Sequence, residues 1–429
     1  MAGKRQKSGE PSRLLGAILI LLLLIVVIWG SVTVLKAAKA QKERAEAIKA
    51  PAQMQSAAVQ QDAQADSQNE TEPESENETE PEAQTPIAAV PAGSVTLMAV
   101  GDNLIHNCVY WSAEKKEGGY DFSPFYEKIS ETCAQYDLAC INQETIFVCD
   151  PSYISSYPVF GTPVEMADAL ADAGFDIVTH ATNHCFDKGD TGLRDTLGYW
   201  RENHPEITYL GIHDTEQDAA QIRIVEKNGI RIALLNYTYG LNGGFSLQPW
   251  QINCFSTYAQ IEQDLANAKA QADFVIVFAH WGEDGNASVT SYQKTWAQVL
   301  ADAGADLIIG THPHLLQPLE HLSASDGRDV PVFWSLGNFL SHQEKPEEML
   351  GGMADVEITK DATGTYLSRC ELQPTVTVIF RASSGDWYEY SPMLLRDYTE
   401  EIAARHRWET CTVDKMWEIC ETATGEKRP

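Results

Sequence analysis

From residue 94 onward, short apolar runs alternate with amphipathic stretches. The runs at 95–100, 138–141, 176–179, 230–235, 274–278, 306–309 and 332–334 predict buried strands. The stretches at 163–173, 187–203, 256–271 and 291–303 carry apolar positions at helical spacing. This alternation predicts an α/β fold with helices packed over sheets. Ala171-Asp172-Ala173-Gly174-Phe175-Asp176 is echoed at Ala301-Asp302-Ala303-Gly304-Ala305-Asp306. In both, Gly closes a helix and a buried strand follows, which recurrent use of one helix-to-strand turn explains as well as duplication does. Past residue 345 the pattern becomes antiparallel: 353–359, 367–372 and 375–380 alternate like strands extending a sheet edge of the same domain. The stretches 398–407 and around Trp417 predict helices without metal-type residues.

The first ninety residues follow other rules. Residues 14–35 hold no charge, and twenty-two helical residues rise about 33 Å, enough to cross a bilayer. A single-pass anchor is predicted there, with 1–13 as a short cytoplasmic leader and the large domain outside the cell membrane. The basic flanks are nearly balanced, so orientation rests on a short basic leader preceding the apolar run. Ala38-Lys39-Ala40 offers a small-residue cleavage site, but the run exceeds a usual signal core and an uncleaved anchor is expected. Residues 36–93, rich in Ala, Gln, Glu, Ser, Thr and Pro, predict an acidic disordered spacer.

Charge divides along the same boundaries. The chain carries 31 Lys and Arg against 61 Asp and Glu, a formal net charge of −30 over 429 residues. Residues 1–50 hold 9 basic and 3 acidic groups, 51–93 hold 9 acidic and no basic groups, and the domain beyond holds 22 and 49. Such acidity excludes nucleic acid as the partner, since phosphate binding rests on clustered cations. Nine cysteines contain no Cys-x-x-Cys pair, which argues against a zinc ribbon or redox motif; Cys411 and Cys420 are one conceivable disulfide.

Polar residues with ligand chemistry fall just past the predicted strands, where α/β sheets place their sites. They are Asp102, then Asn142-Gln143-Glu144, then Asn183-His184 with Asp187, then His280-Trp281-Gly282-Glu283, and last His312-Pro313-His314 with Gln317. Each alone has a bland explanation: a helix cap for Asp102, a surface carboxylate for Glu144, a turn residue for Asn183, a hydrogen-bonded strand-end imidazole for His280. Five strand ends bearing carboxylate, carboxamide and imidazole together form an oxygen and nitrogen set suited to manganese, iron or zinc. His312 and His314 point to opposite faces of an extended backbone, so a turn at Pro313 is required to bring both to one ion.

These blocks, with Gly101-Asp102, Ala181 to Gly189, Gly310 to Gln317 and Ser335-Leu336-Gly337-Asn338-Phe339, resemble the capsule-synthesis CapA family over residues 94–345. That family is associated with poly-γ-glutamate capsules and is similar to calcineurin-like metallophosphatases. The resemblance implies a two-sheet sandwich flanked by helices, completed by residues 346–429, with one or two divalent ions at one edge. It implies Asp102, Glu144, Asn183, His280, His312 and His314 as metal ligands, Glu144 bridging, His184 as general acid and Asp187 orienting it. Glu283, Gln317 and Trp281 become substrate or supporting contacts. The chain departs from the metallophosphatase pattern at Leu104, where an imidazole is usual, and at Gln143 within the usual Asn-Leu-Glu.

The function implied is a metal-dependent hydrolase or transferase acting on amide or phosphoester bonds of an envelope polymer such as poly-γ-glutamate. One alternative is a non-catalytic polymer-binding or scaffold subunit of a capsule export complex. Another is a phosphodiesterase or nucleotidase, which Leu104 disfavours. So acidic a domain repels a polyanion unless cations or a local basic pocket intervene.

Overall fold

A computed structural model describes residues 93–243, 247–381 and 387–428. The expected anchor at 14–35 and nearly all of the spacer lie outside them; among the described residues no helix is long and apolar enough to cross a membrane.

Two sheets carry the fold. In the first, β1 (Gly93–Asn103), β2 (Leu138–Gln143), β5 (Ile177–Thr179) and β6 (Thr208–Leu210) run parallel. On its other flank β14 (Leu350–Asp361), β15 (Gly364–Arg381) and β16 (Tyr388–Leu394) pair antiparallel, β14 directly on β1. β13 (Asn338–Leu340) joins the carboxyl end of β1 in parallel. The second sheet holds β7 (Arg223–Lys227), β8 (Ile230–Thr238), β9 (Phe274–His280), β10 (Leu307–Thr311), β11 (Leu319–Ser323) and β12 (Asp329–Phe333). Its order is β11-β12-β10-β9-β8-β7, with the four central strands parallel and both edges antiparallel. A small pair, β3 (Phe147–Val148) and β4 (Thr162–Pro163), stands apart.

The period-two alternation of a strand explains the layering. Ile232, Leu234, Ile276 and Ile309 join the large core shared with Leu97, Ile141 and Val356 of the first sheet. Their neighbours Ala233, Leu235, Val277 and Ile308 pack instead with Ile261 and Leu265 of helix Tyr258–Lys269 and Trp296 and Leu300 of helix Ser291–Ala303. Strands buried on both faces read as continuous apolar runs, which is why they were visible in the sequence.

The sequence echo has a concrete cause. Gly174 (φ +92°) and Gly304 (φ +120°) turn back at the ends of their helices, in a backbone region that favours glycine. The following Asp176 and Asp306 then accept the backbone N–H of Ala139 and Val275 on the adjacent strands, both at 2.8 Å. Asp137 and Asp273 do the same for Thr96 and Arg231. Four acidic residues thus serve strand edges, recurrent use of one device.

Some boundaries differ from expectation. The segments 367–372 and 375–380 are one strand, which exchanges β14 for β16 as its partner around Pro374. Within 398–407 only Glu400–Ala403 is helical; His406 bridges to Phe380 and bonds the Thr377 carbonyl, so the chain is drawn along β15. Cys411 and Cys420 are buried but not joined.

Candidate metal centre

The carboxyl ends of β1, β2 and β5 meet those of β9 and β10, and the polar residues beyond them converge. Gly101 permits the approach, since a Cβ there would lie 1.9 Å from the Gly337 carbonyl oxygen. Asp102 is fully buried; Oδ1 accepts from Asn142 Nδ2 (2.8 Å), and Oδ2 accepts the His312 backbone N–H (3.2 Å) and lies 3.0 Å from His314 Nδ1. His314 Nδ1 also lies 3.1 Å from Asn338 Oδ1.

Among the described residues, two groups of side chains have donor atoms within 4.8 Å of one another: Glu144, His280 and His312, and Asp102, Glu144 and His314. Glu144 belongs to both. It is fully buried and, among the described residues, neither carboxylate oxygen has a hydrogen-bond partner and the buried His312 Nδ1 has none either. Its Oε1 stands 3.7 Å from both His280 Nε2 and His314 Nε2. Buried polar atoms are normally satisfied, so a carboxylate without partners beside an imidazole nitrogen without one is the arrangement expected around a cation. The donor set of two carboxylates and three imidazoles fits a divalent ion of the manganese, iron or zinc type.

The turn required at Pro313 is present. His312 (φ +100°) and His314 (φ +59°) both adopt left-handed backbone, unusual for residues with a Cβ and costing on the order of 1–3 kcal/mol each. The turn sends the two rings to different groups that share Glu144, their centroids 5.9 Å apart.

Electrostatics separates the groups further. Burial, followed by neighbouring histidines, holds His312 down to about 3 and His280 well below its usual value. Burial also opposes the charged form of His314, but Glu144 and Asp102 outweigh it and lift the group to about 10. Burial pushes the Glu144 carboxyl well up, against the opposing pull of His314. The pair therefore holds a proton in the absence of a cation.

Asn183 Oδ1 faces His280 Nε2 at 2.8 Å, beside the first group. His184 Nδ1 sits 2.6 Å from Asp187 Oδ2, which also accepts the Phe160 backbone N–H at 2.7 Å. The edge of Phe160 packs on the His184 ring at 4.7 Å. Three expected residues are not in the cluster. Trp281 is a core residue donating to the Trp334 carbonyl; Gln317 is buried, donating to Asn286 and Ser288 carbonyls and accepting from Gln293. Glu283 is exposed and accepts from Asn286. Trp281 and Gln317 hold the loop after β9 in place. Leu104 is buried where an imidazole was missed, and His106 lies nearby with its ring 5.6 Å from Phe160.

Four further neighbours went unrecognised as site residues. Tyr239 packs its ring on His312 at 4.5 Å, and Asn242 Nδ2 lies 3.1 and 3.3 Å from the two His184 nitrogens. Both follow β8, a central strand whose end carries no carboxylate or imidazole in residues 239–243. Asn338 and His106 complete the set.

Comparison with known proteins decides the family. A family profile described as bacterial capsule synthesis protein PGA_cap matches residues 96–343, more than half of the chain. The chain belongs to this family. Among curated relatives, the PGA biosynthesis protein CapA of Bacillus subtilis (strain 168) is 30% identical over 206 residues, 48% of this chain and 53% of that protein. The capsule biosynthesis protein CapA of Bacillus anthracis is 32% identical over 184 residues, 42% of this chain and 43% of that protein. The chain thus spans about half the length of these relatives. Among solved structures, a novel phosphatase from Mycoplasma pneumoniae has 14% identity and a TM-score of 0.42, covering 67% of this chain and 95% of that one. The calcineurin-like phosphoesterase YfkN from Bacillus subtilis has 12% identity and a TM-score of 0.38, covering 78% and 98%. At such scores the two-sheet architecture rests on the strand pairing itself.

Proposed function

We propose that this chain is an envelope-anchored, metal-dependent hydrolase or transferase of capsule-type polymer assembly, similar in chemistry to metallophosphatases and acting on amide or phosphoester bonds. The observation that carries the proposal is Glu144: a buried carboxylate without a hydrogen-bond partner among the described residues, common to two sets of ligand-type side chains. Asp102, Glu144, His280, His312 and His314, with Asn183 alongside, would hold one or two divalent ions. Such an ion supplies Lewis acidity, polarising a carbonyl or phosphoryl oxygen and acidifying water.

The chain's own groups would do the rest. Asp187 takes the Nδ1 side of His184 and fixes the ring, leaving Nε2 to pass a proton to a leaving group. Phe160 reinforces this from both directions, its N–H holding Asp187 and its ring edge bearing on His184. Burial of the histidines and carboxylates excludes bulk water and strengthens each interaction. Poly-γ-glutamate, the polymer the family resemblance implies, is the first to test; the Bacillus subtilis relative is described as a PGA biosynthesis protein.

A second reading, a non-catalytic polymer-binding or scaffold subunit of an export complex, draws on Leu104, which offers no donor atom at the expected imidazole position. Turnover of model phosphoesters and γ-glutamyl amides by the metal-loaded chain separates the two. His184→Ala should lower turnover by about 10²–10⁴-fold with metal content unchanged. Equal turnover in that variant removes the acid role, and no turnover by the unaltered chain on any member of the panel favours the scaffold.

A further inference from the structure

Outside the ligand-type side chains of the metal centre, two neighbouring buried donors have no acceptor among the described residues. Arg407 Nε and Trp408 Nε1 are both covered, and neither has a hydrogen-bond partner among the described residues. The guanidinium instead stacks on the Trp408 ring at 4.5 Å and approaches Tyr388 at 5.8 Å. No carboxylate pairs with it among the described residues, in a chain with about twice as many acidic as basic groups.

The segment bearing these residues is firmly held. Arg405 lies over the Phe380 ring, His406 bonds the Thr377 carbonyl, the Arg407 N–H donates to Ile379, and the Trp408 N–H donates to His406 Nδ1. The unpaired donors are therefore features of a fixed structure. Burial, then the Arg407 charge, lowers His342 to about 4, so Arg407 supplies the positive charge beside this neutral ring.

We propose that Arg407 and Trp408 form a receptor for an oxyanion, a carboxylate or phosphate carried by the substrate polymer, at the flank of the metal centre. Guanidinium and indole N–H are donors with no acceptor capacity, so the missing partner must accept, and the charge favours an anion. Nε and Nε1 are covered while both side chains are half-buried, so an anion would approach along the exposed part of the guanidinium. The receptor is connected to the centre: His342 lies 6.1 Å from Trp408 by ring centroids and donates its backbone N–H to His106 Nδ1. The His106 ring contacts Phe160, which in turn bears on His184. Arg407 and Trp408 lie beyond the residues matched by the family profile, so the receptor belongs to the C-terminal part of this chain. It also gives an acidic domain a local cation for an anionic polymer, and it does not depend on the metal chemistry.

The chain has ten tryptophans, and nuclear magnetic resonance of their indole N–H groups in the labelled full chain tests the receptor directly. The resonance missing from Trp408→Phe identifies Trp408. Glutarate or inorganic phosphate should shift that resonance saturably, the active anion distinguishing carboxylate from phosphate recognition. Arg407→Gln should abolish the shift with the other indole resonances in place, and Glu144→Gln should leave it unchanged. Should Arg407→Gln disturb the other resonances, Arg407→Lys is read instead and should bind about tenfold more weakly. No saturable shift with either anion, a shift that survives Arg407→Gln, unchanged affinity in Arg407→Lys, or loss of the shift in Glu144→Gln would each overturn the proposal.

Discussion

The two donor groups that share Glu144 differ in how far they are satisfied without a cation. In the group of Asp102 and His314, the imidazole has Asp102 and Asn338 as partners and is held charged. In the group of His280 and His312, both rings are held neutral and His312 Nδ1 has no partner. One half can close on itself as an ion pair; the other is left with open donor atoms. The difference teaches that Glu144 links a self-compensating half to an uncompensated one, so the cost of an empty centre concentrates on Glu144 and His312.

The largest effect should come from removing the link. Glu144→Gln should abolish metal uptake by both groups and with it turnover, while stabilising the metal-free chain near neutral pH by about 1–3 kcal/mol because the cost of burying a carboxyl that titrates well above its unfolded value is removed. Thermal unfolding of stripped protein checks the sign; a loss of stability would contradict the assignment of Glu144 as a carboxyl that is costly to bury without a cation. His312→Ala should come next, removing the ion of its own group and leaving the Asp102 group loaded, as metal content per chain would report.

Proton counting sharpens the contrast. The Glu144–His314 pair retains a proton at neutral pH, whereas His280 and His312 retain none. Metal uptake near pH 7 should therefore release about one proton and tighten as pH rises. Calorimetry in buffers of different ionisation enthalpy measures this, and uptake without release contradicts the assignment.

Smaller effects concern the surrounding frame. His180 is buried, faces the Trp200 indole N–H at 2.9 Å, and is lowered by burial to about 3. Its folded value lies below its unfolded one, so its contribution is present above about 6.5 and lost as pH falls toward 3, at up to about 1.4 kcal/mol per pH unit. His180→Gln should flatten that acid slope in unfolding experiments. Gln317→Ala should cost on the order of 1–3 kcal/mol by releasing the loop after β9, with metal content retained.

Much of this frame was legible in the sequence. Strands buried on both faces announce themselves as apolar runs, and Asp102, Glu144, Asn183, His280 and His312 could be found because strand ends can be found. The same rule applied to β8 would have reached Tyr239 and Asn242. His106 was visible as a residue, but its approach to Phe160 depends on a loop fold that spacing does not encode. Gln317 and Trp281 looked chemical because they neighbour ligand-type histidines, yet their side chains turn into the frame. No periodicity distinguishes those two directions. The receptor at Arg407 and Trp408 was hidden for a related reason: 398–407 was expected to be helical, and bonds to β15 draw the segment into an extended path.

The central claim is that Glu144 joins two cation-holding groups, and metal stoichiometry tests it most directly. Elemental analysis of the purified chain, Glu144→Gln and His312→Ala after exposure to manganese, iron or zinc should show bound metal in the first, none in the second and a reduced amount in the third. Equal metal content in all three would contradict it.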